Sequence, residues 1–214
     1  MNLNEKCRKI INILKKIYPD PRCTLNYNNA FELLVSTRLA AQCTDKRVNL
    51  TTPKLFSKYP DVYTMATANL EDVEKIIKPC GFFKTKARDI INLSKNIAEN
   101  FDGKVPDSME KLTSLPGIGR KTANVILAEI FHKPAIIVDT HFMRITRKLG
   151  FHDLKDATKI EFLMKKIVPE NESANFSHRL VAHGREICRA VNPKCNLCDI
   201  KNFCKKYKKD SQQN

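Results

Sequence analysis

At 214 residues the chain is longer than the common domain of ~100–150 residues and shorter than two, and 42% hydrophobic residues with a mean hydropathy of −0.39 exclude general disorder, so two small domains are expected. Lys and Arg number 38 against 23 Asp and Glu, a net charge of +15 that favours a polyanionic partner through long-range attraction and counterion release, nucleic acid first. The polar start and the lack of any run of about 18 apolar residues exclude a membrane class, and a cytoplasmic protein is expected.

Apolar residues recur at helical spacing along almost the whole chain. The first stripe is Leu3, Cys7, Ile10, Ile11, Leu14 and Ile17. Helices are then predicted near 30–43, 45–58 and 70–78, followed by the stripe Ala87, Ile90, Ile91, Ile97, Ala98 and Phe101. Further helices are predicted near 107–114, 120–131, 140–149, 156–167 and 173–187, each bounded by Pro, Gly, Asn or Asp. Ala135 to Val138 alone has strand character, and without a pairing partner it reads as a buried connector. The fold class is therefore all-α, and the Lys-rich residues 205–214 read as a frayed, disordered tail.

Residues 108–131 read as a helix-hairpin-helix around Leu115-Pro116-Gly117-Ile118-Gly119-Arg120-Lys121. Pro116 stops the first helix, and the two glycines permit positive φ and let a phosphate approach the backbone amides. Those amides then open a helix N-terminus, where unpaired N–H groups and the helix dipole favour an anion, with Arg120 and Lys121 adding positive charge. Lys121 lies in the first turn among other cations, a setting for an amine that becomes a nucleophile once deprotonated. Asp139, between an apolar run and the stripe Phe142, Ile145, Leu149, reads as a helix N-cap.

In a reducing compartment the eight cysteines are ligands or buried small hydrophobes rather than disulfides, and the isolated Cys7, Cys23, Cys43 and Cys80 read as structural. Cys188, Cys195, Cys198 and Cys204 differ, following C-x6-C-x2-C-x5-C within 17 residues. Four thiolates can ligate zinc or an iron–sulfur cluster. Zinc sites usually pair two tight knuckles, and only Cys195 and Cys198 form one here, so the wide loops favour a [4Fe-4S] cluster. Arg189, Lys194, Lys201, Lys205 and Lys206 surround the ligands and would offer cations to DNA phosphates.

With these residues in place the chain resembles the endonuclease III family, iron–sulfur DNA glycosylases and AP lyases for oxidised pyrimidines. The resemblance runs over nearly the full length. It is carried by Phe31-Glu32-Leu33-Leu34, Ala41-Gln42-Cys43-Thr44-Asp45, Leu115 to Asn124, Val138 to His141, His183-Gly184-Arg185 and the four cysteine spacings.

The resemblance implies two helical lobes with a cleft between them: a six-helix lobe over 23–133, and a cluster lobe formed by 1–22 with 134–204. It implies double-stranded DNA with a damaged pyrimidine or an abasic site as partner, and a monomer. It assigns Lys121 as Schiff-base nucleophile, Asp139 as catalytic carboxylate and Gln42 as the residue filling the gap left by a flipped base. Phe82 falls at a wedge position where relatives often carry an aliphatic side chain. Gly117, Gly119, Arg120, Arg189 and Lys194 are expected to contact DNA. Arg38 interrupts an otherwise apolar helix, and either faces the cleft or pairs with a carboxylate. The competing readings are an adenine-mismatch glycosylase of the same superfamily, which lacks the lysine, and a non-catalytic DNA-binding module.

Overall fold

The computed structural model describes the backbone of residues 1–211 and the side chains of residues 1–208. By contacts the chain divides into two compact units, Thr24–Lys133 and a second composed of Met1–Cys23 with the chain from Pro134 onward. Among the described residues every regular element is helical, as the periodicity predicts. No described helix is long and apolar enough to cross a membrane.

Helix α1 (Leu3–Ile17) belongs to the discontinuous unit. Asn2 caps it by accepting from the Glu5 amide at 2.8 Å, and Cys7, Ile10, Ile11 and Leu14 point inward at the predicted spacing. Burial pushes the Cys7 thiol up to about 12, in keeping with a cysteine that serves as a small hydrophobe.

The continuous unit contains α2 (Ala30–Leu39), α3 (Asp45–Lys58), α4 (Val62–Ala66), α5 (Leu70–Ile77), a 3-10 turn at Lys78–Cys80, α6 (Phe83–Asn100), α7 (Met109–Ser114) and α8 (Arg120–Glu129). That is seven α-helices where six were expected. The addition is α4, five residues too short to show an apolar period, which forms because Asp61 and Thr64 build a capping box. Helix α2 is buried on nearly all sides, from Phe31 to Leu39, so it is the central strut of this unit.

Pro134 opens the return into the first unit, followed by the buried connector Ala135–Val138 and then α9 (Thr140–Leu149), α10 (Ala157–Lys165), α11 (Ser173–Glu186) and α12 (Lys205–Ser211). Ser177 on α11 accepts from the Ile137 amide at 3.1 Å, which satisfies a connector that has no ladder of its own. Phe142 and Phe176 meet edge to face at 6.0 Å in a core shared with the inward side of α1. Helix α12 corrects the expectation of a frayed tail over 205–211. Its first turn is anchored by the Cys204 carbonyl and thiol, which accept from the Lys208 and Tyr207 amides. Residues 212–214 of that expected tail lie outside the described residues.

Candidate DNA-binding and catalytic site

The hairpin is held from below and open above. Leu115 and Ile118 are buried, and the Ile118 amide donates to the Leu115 carbonyl at 3.2 Å, closing the turn between α7 and α8. Gly117, Gly119 and Lys121 are exposed, and Arg120 is half-buried. Gly119 is the N-cap of α8 and offers no side chain, so the first amides of this ten-residue helix stay without an internal cap. Both features suit an approaching phosphate.

The two glycines do different work: both permit positive φ, and only Gly117 adopts it. Gly117 has φ +73°, and a Cβ there would lie 2.7 Å from both Arg38 Nε and Asp89 Oδ2. Gly119 has an ordinary φ of −98°, and a Cβ there would meet nothing within 4 Å. The same geometry resolves Arg38: from α2 its Nε donates to Asp89 Oδ2 on α6 at 2.9 Å, and the pair forms a floor under Gly117. Gly117→Ala is therefore expected to cost about 1–3 kcal/mol through strain and crowding. Gly119→Ala should stay within about 0.5 kcal/mol in stability. Yet it should weaken duplex binding several-fold, because only an outside group comes close to that position. Chemical denaturation alongside duplex titration checks both, and unchanged binding by the second variant would remove Gly119 from the interface.

Gln42 and Phe82 are both exposed and both left-handed, with φ of +53° and +48°. Phe82 keeps 64% of its surface accessible, an unusual setting for an unpartnered aromatic ring. Non-glycine residues in this region carry strain that the surroundings must over-determine.

In the discontinuous unit, half-buried Asp139 is the N-cap of α9: its Oδ1 accepts from the Phe142 amide at 2.7 Å. The capping expected of it is thus observed, and the cap fixes the carboxylate's direction. Next to it, His141 packs so closely on α11 that a Cβ at Gly184 would lie 2.5 Å from its Nδ1. Burial holds the His141 ring below the usual imidazole range; Asp139 opposes this while Arg144 and Arg185 reinforce it. Arg144 Nη2 stands 3.2 Å from His141 Nδ1 and donates to the Cys188 carbonyl at 2.7 Å, linking α9 to the start of the cysteine loop.

All four loop cysteines line one cavity of about 280 Å³, together with Lys148, Lys194 and Lys201. Among the described residues no group of three or more His, Cys, Asp or Glu side chains stands close enough to hold one metal ion. Nitrogen atoms converge on the sulfurs. The Tyr207 amide lies 3.4 Å from Cys204 Sγ, Lys148 Nζ lies 4.0 Å from Cys188 Sγ, and His183 Nε2 lies 3.5 Å from Cys198 Sγ. Burial raises the Cys188 thiol and pushes Cys198 to about 11, so ligation here would displace protons. Arg189 and Lys194 are exposed on this loop.

Lys121 and the hairpin thus belong to one unit, and Asp139 and the cysteines to the other. Sequence patterns overlooked Arg144 and Lys148, whose roles depend on partners far along the chain. They also overlooked Lys86, although its place four residues before Ile90, on an apolar stripe, marked it as a charge at a core position.

An all-helical chain with a phosphate-ready hairpin, an exposed lysine at its mouth and four cysteines around one cavity defines a DNA-processing protein of the helix-hairpin-helix class. Comparison with known proteins narrows the class. Residues 35–170 match the family described as HhH-GPD superfamily base excision DNA repair protein. The chain is 43% identical over 201 residues to Endonuclease III of Synechocystis sp., covering 94% of this chain and 92% of that one. It is 39% identical to Endonuclease III of Bacillus subtilis, covering 90% and 89%. A solved non-covalent Endonuclease III–DNA complex and a trapped Endonuclease III–DNA covalent intermediate each superpose with TM-score 0.93 at 37% identity, covering 99% of this chain and 100% of that chain. The chain belongs to the HhH-GPD superfamily of base excision DNA repair proteins and, within it, to the endonuclease III family of DNA glycosylases with AP lyase activity.

Proposed function

We propose that the protein excises oxidised pyrimidines from double-stranded DNA and cleaves the strand 3′ to the resulting abasic site, acting as a cytoplasmic monomer whose single chain carries every group the reaction needs. The observation that carries this reading is the exposed Lys121 in the first turn of the uncapped α8. It is supported by the 37% identical Endonuclease III that was trapped in covalent linkage to DNA.

In this reading the damaged nucleotide leaves the stack at a cost that damage reduces. The neutral amine of Lys121 attacks C1′, the glycosidic bond breaks, and its electron pair leaves with the base, which takes up a proton. Asp139 stabilises positive charge developing on the sugar and assists proton transfers. Ring opening gives a protonated imine between Lys121 and C1′, which acidifies C2′–H. Loss of that proton expels the 3′ phosphate by β-elimination, and water then releases the amine. Borohydride should reduce the imine and trap a covalent complex on a duplex holding an oxidised pyrimidine. Wild-type protein that gives no trapped species would sink the lyase assignment and leave a DNA-binding module.

We further assign a [4Fe-4S] cluster to Cys188, Cys195, Cys198 and Cys204, supported by their spacing, their shared cavity and the nitrogen atoms around their sulfurs. When bound, it contributes folding energy to the loop, so that Arg189 and Lys194 stand in a fixed frame as cations for DNA phosphates. Anaerobically purified protein should be brown with about four irons per chain, and Cys198→Ser should lower both iron content and duplex affinity. Colourless protein with stoichiometric zinc contradicts the assignment.

A further inference from the structure

Among the large, fully buried side chains of the described protein is a lysine. Lys86, 1% exposed in α6, donates from Nζ to the Leu39 carbonyl at 2.7 Å and to the Cys80 carbonyl at 2.8 Å. Its hydrogen-bond partners are carbonyls only, and burial holds the amine below the ordinary lysine range, with Cys43 and Cys80 opposing. Burying an ammonium carries a desolvation penalty that an aliphatic residue of similar size would avoid. Packing alone does not call for a lysine here.

The two acceptors tell what it is for. Leu39 is the last residue of α2 and Cys80 the last of the 3-10 turn, so each carbonyl belongs to a helical C-terminus whose acceptors lack internal partners. Three residues beyond Leu39 comes Gln42; two beyond Cys80 comes Phe82. These are the two exposed, left-handed residues of the proposed DNA face. Lys86 grips the second one twice, because its own backbone amide donates to the Phe82 carbonyl at 3.0 Å. The Cys43 and Cys80 thiols, one beside each turn, also influence each other electrostatically.

We propose that Lys86 is a positioning residue for lesion recognition: its buried ammonium clamps two turns into one rigid element, so that Gln42 and Phe82 are presented to the base stack as a preset pair. This rests on the reading in which those two side chains enter the duplex at the damaged site. Presetting them before DNA arrives spares the ordering cost at the moment of binding.

The test is a ratio: affinity for a duplex containing a tetrahydrofuran abasic analogue over affinity for the same duplex undamaged. Gln42→Ala and Phe82→Ala should each lower it. Lys86→Met should lower it about tenfold while binding to undamaged duplex changes less than about twofold, and combining it with either alanine variant should add little further. Lys86→Gln, which keeps one donor, should fall between. If the alanine variants lower the ratio but Lys86→Met leaves it at the wild-type value, or if the losses simply multiply, the clamp is wrong and the DNA-face reading stands. If the alanine variants themselves keep the wild-type ratio, the reading fails and the clamp's purpose with it. Should Lys86→Met not fold, amide exchange of the wild-type protein decides. The hydrogen-bonded amides of Cys43 and Gly81 opening at one common rate support a single clamped element, and independent rates overturn it.

Discussion

Lys121→Gln is expected to abolish borohydride trapping and to slow strand cleavage by roughly a thousandfold or more, the scale of losing a covalent nucleophile. The side chain is exposed, and glutamine is as good a helix former, so stability should hold within about 0.5 kcal/mol. Duplex affinity should change little beyond the loss of one cation. Gel analysis of trapped and cleaved duplex, with denaturation run in parallel, separates these effects. Trapping that persists in the variant would move the Schiff base to another amine.

Asp139→Asn should slow base release by roughly 10²–10⁴-fold, the usual span for a lost acid–base or electrostatic group. Asparagine caps helices as well as aspartate does, so the bond to the Phe142 amide and the start of α9 should survive. Duplex affinity should therefore stay near that of wild type. Single-turnover base release measured beside equilibrium binding reads the difference. Equal losses in both would return Asp139 to a purely structural capping role. Asp139→Ala serves as the control, since it removes the cap as well and should cost about 1 kcal/mol in stability.

The glycine pair shows how a motif can be seen while its parts stay undistinguished. Pro-Gly-Ile-Gly announces a hairpin, because proline ends a helix and glycine relieves the next residues, but that chemistry applies to both glycines alike. Only the floor of Arg38 and Asp89 distinguishes them, giving Gly117 a steric task and leaving Gly119 open. Arg38 had two readings for the same reason: its partner is 51 positions away.

Helical class, the hairpin, the four-cysteine loop and most element boundaries were written in local order. Each rests on neighbours a few residues apart, whose backbone sterics, apolar period and ligand spacing act before any long-range contact forms. Helix α4 and helix α12 escaped that logic because one is too short to show a period and the other is a run of charges tied down by Cys204. Folding alone decided who meets whom: Lys86 reaching Leu39 across 47 positions, Arg144 reaching Cys188 across 44, and His141 lying against Gly184. Such pairings depend on close-packed helices bringing distant segments within bonding range, and no periodicity along the chain encodes which distant groups will share a buried space.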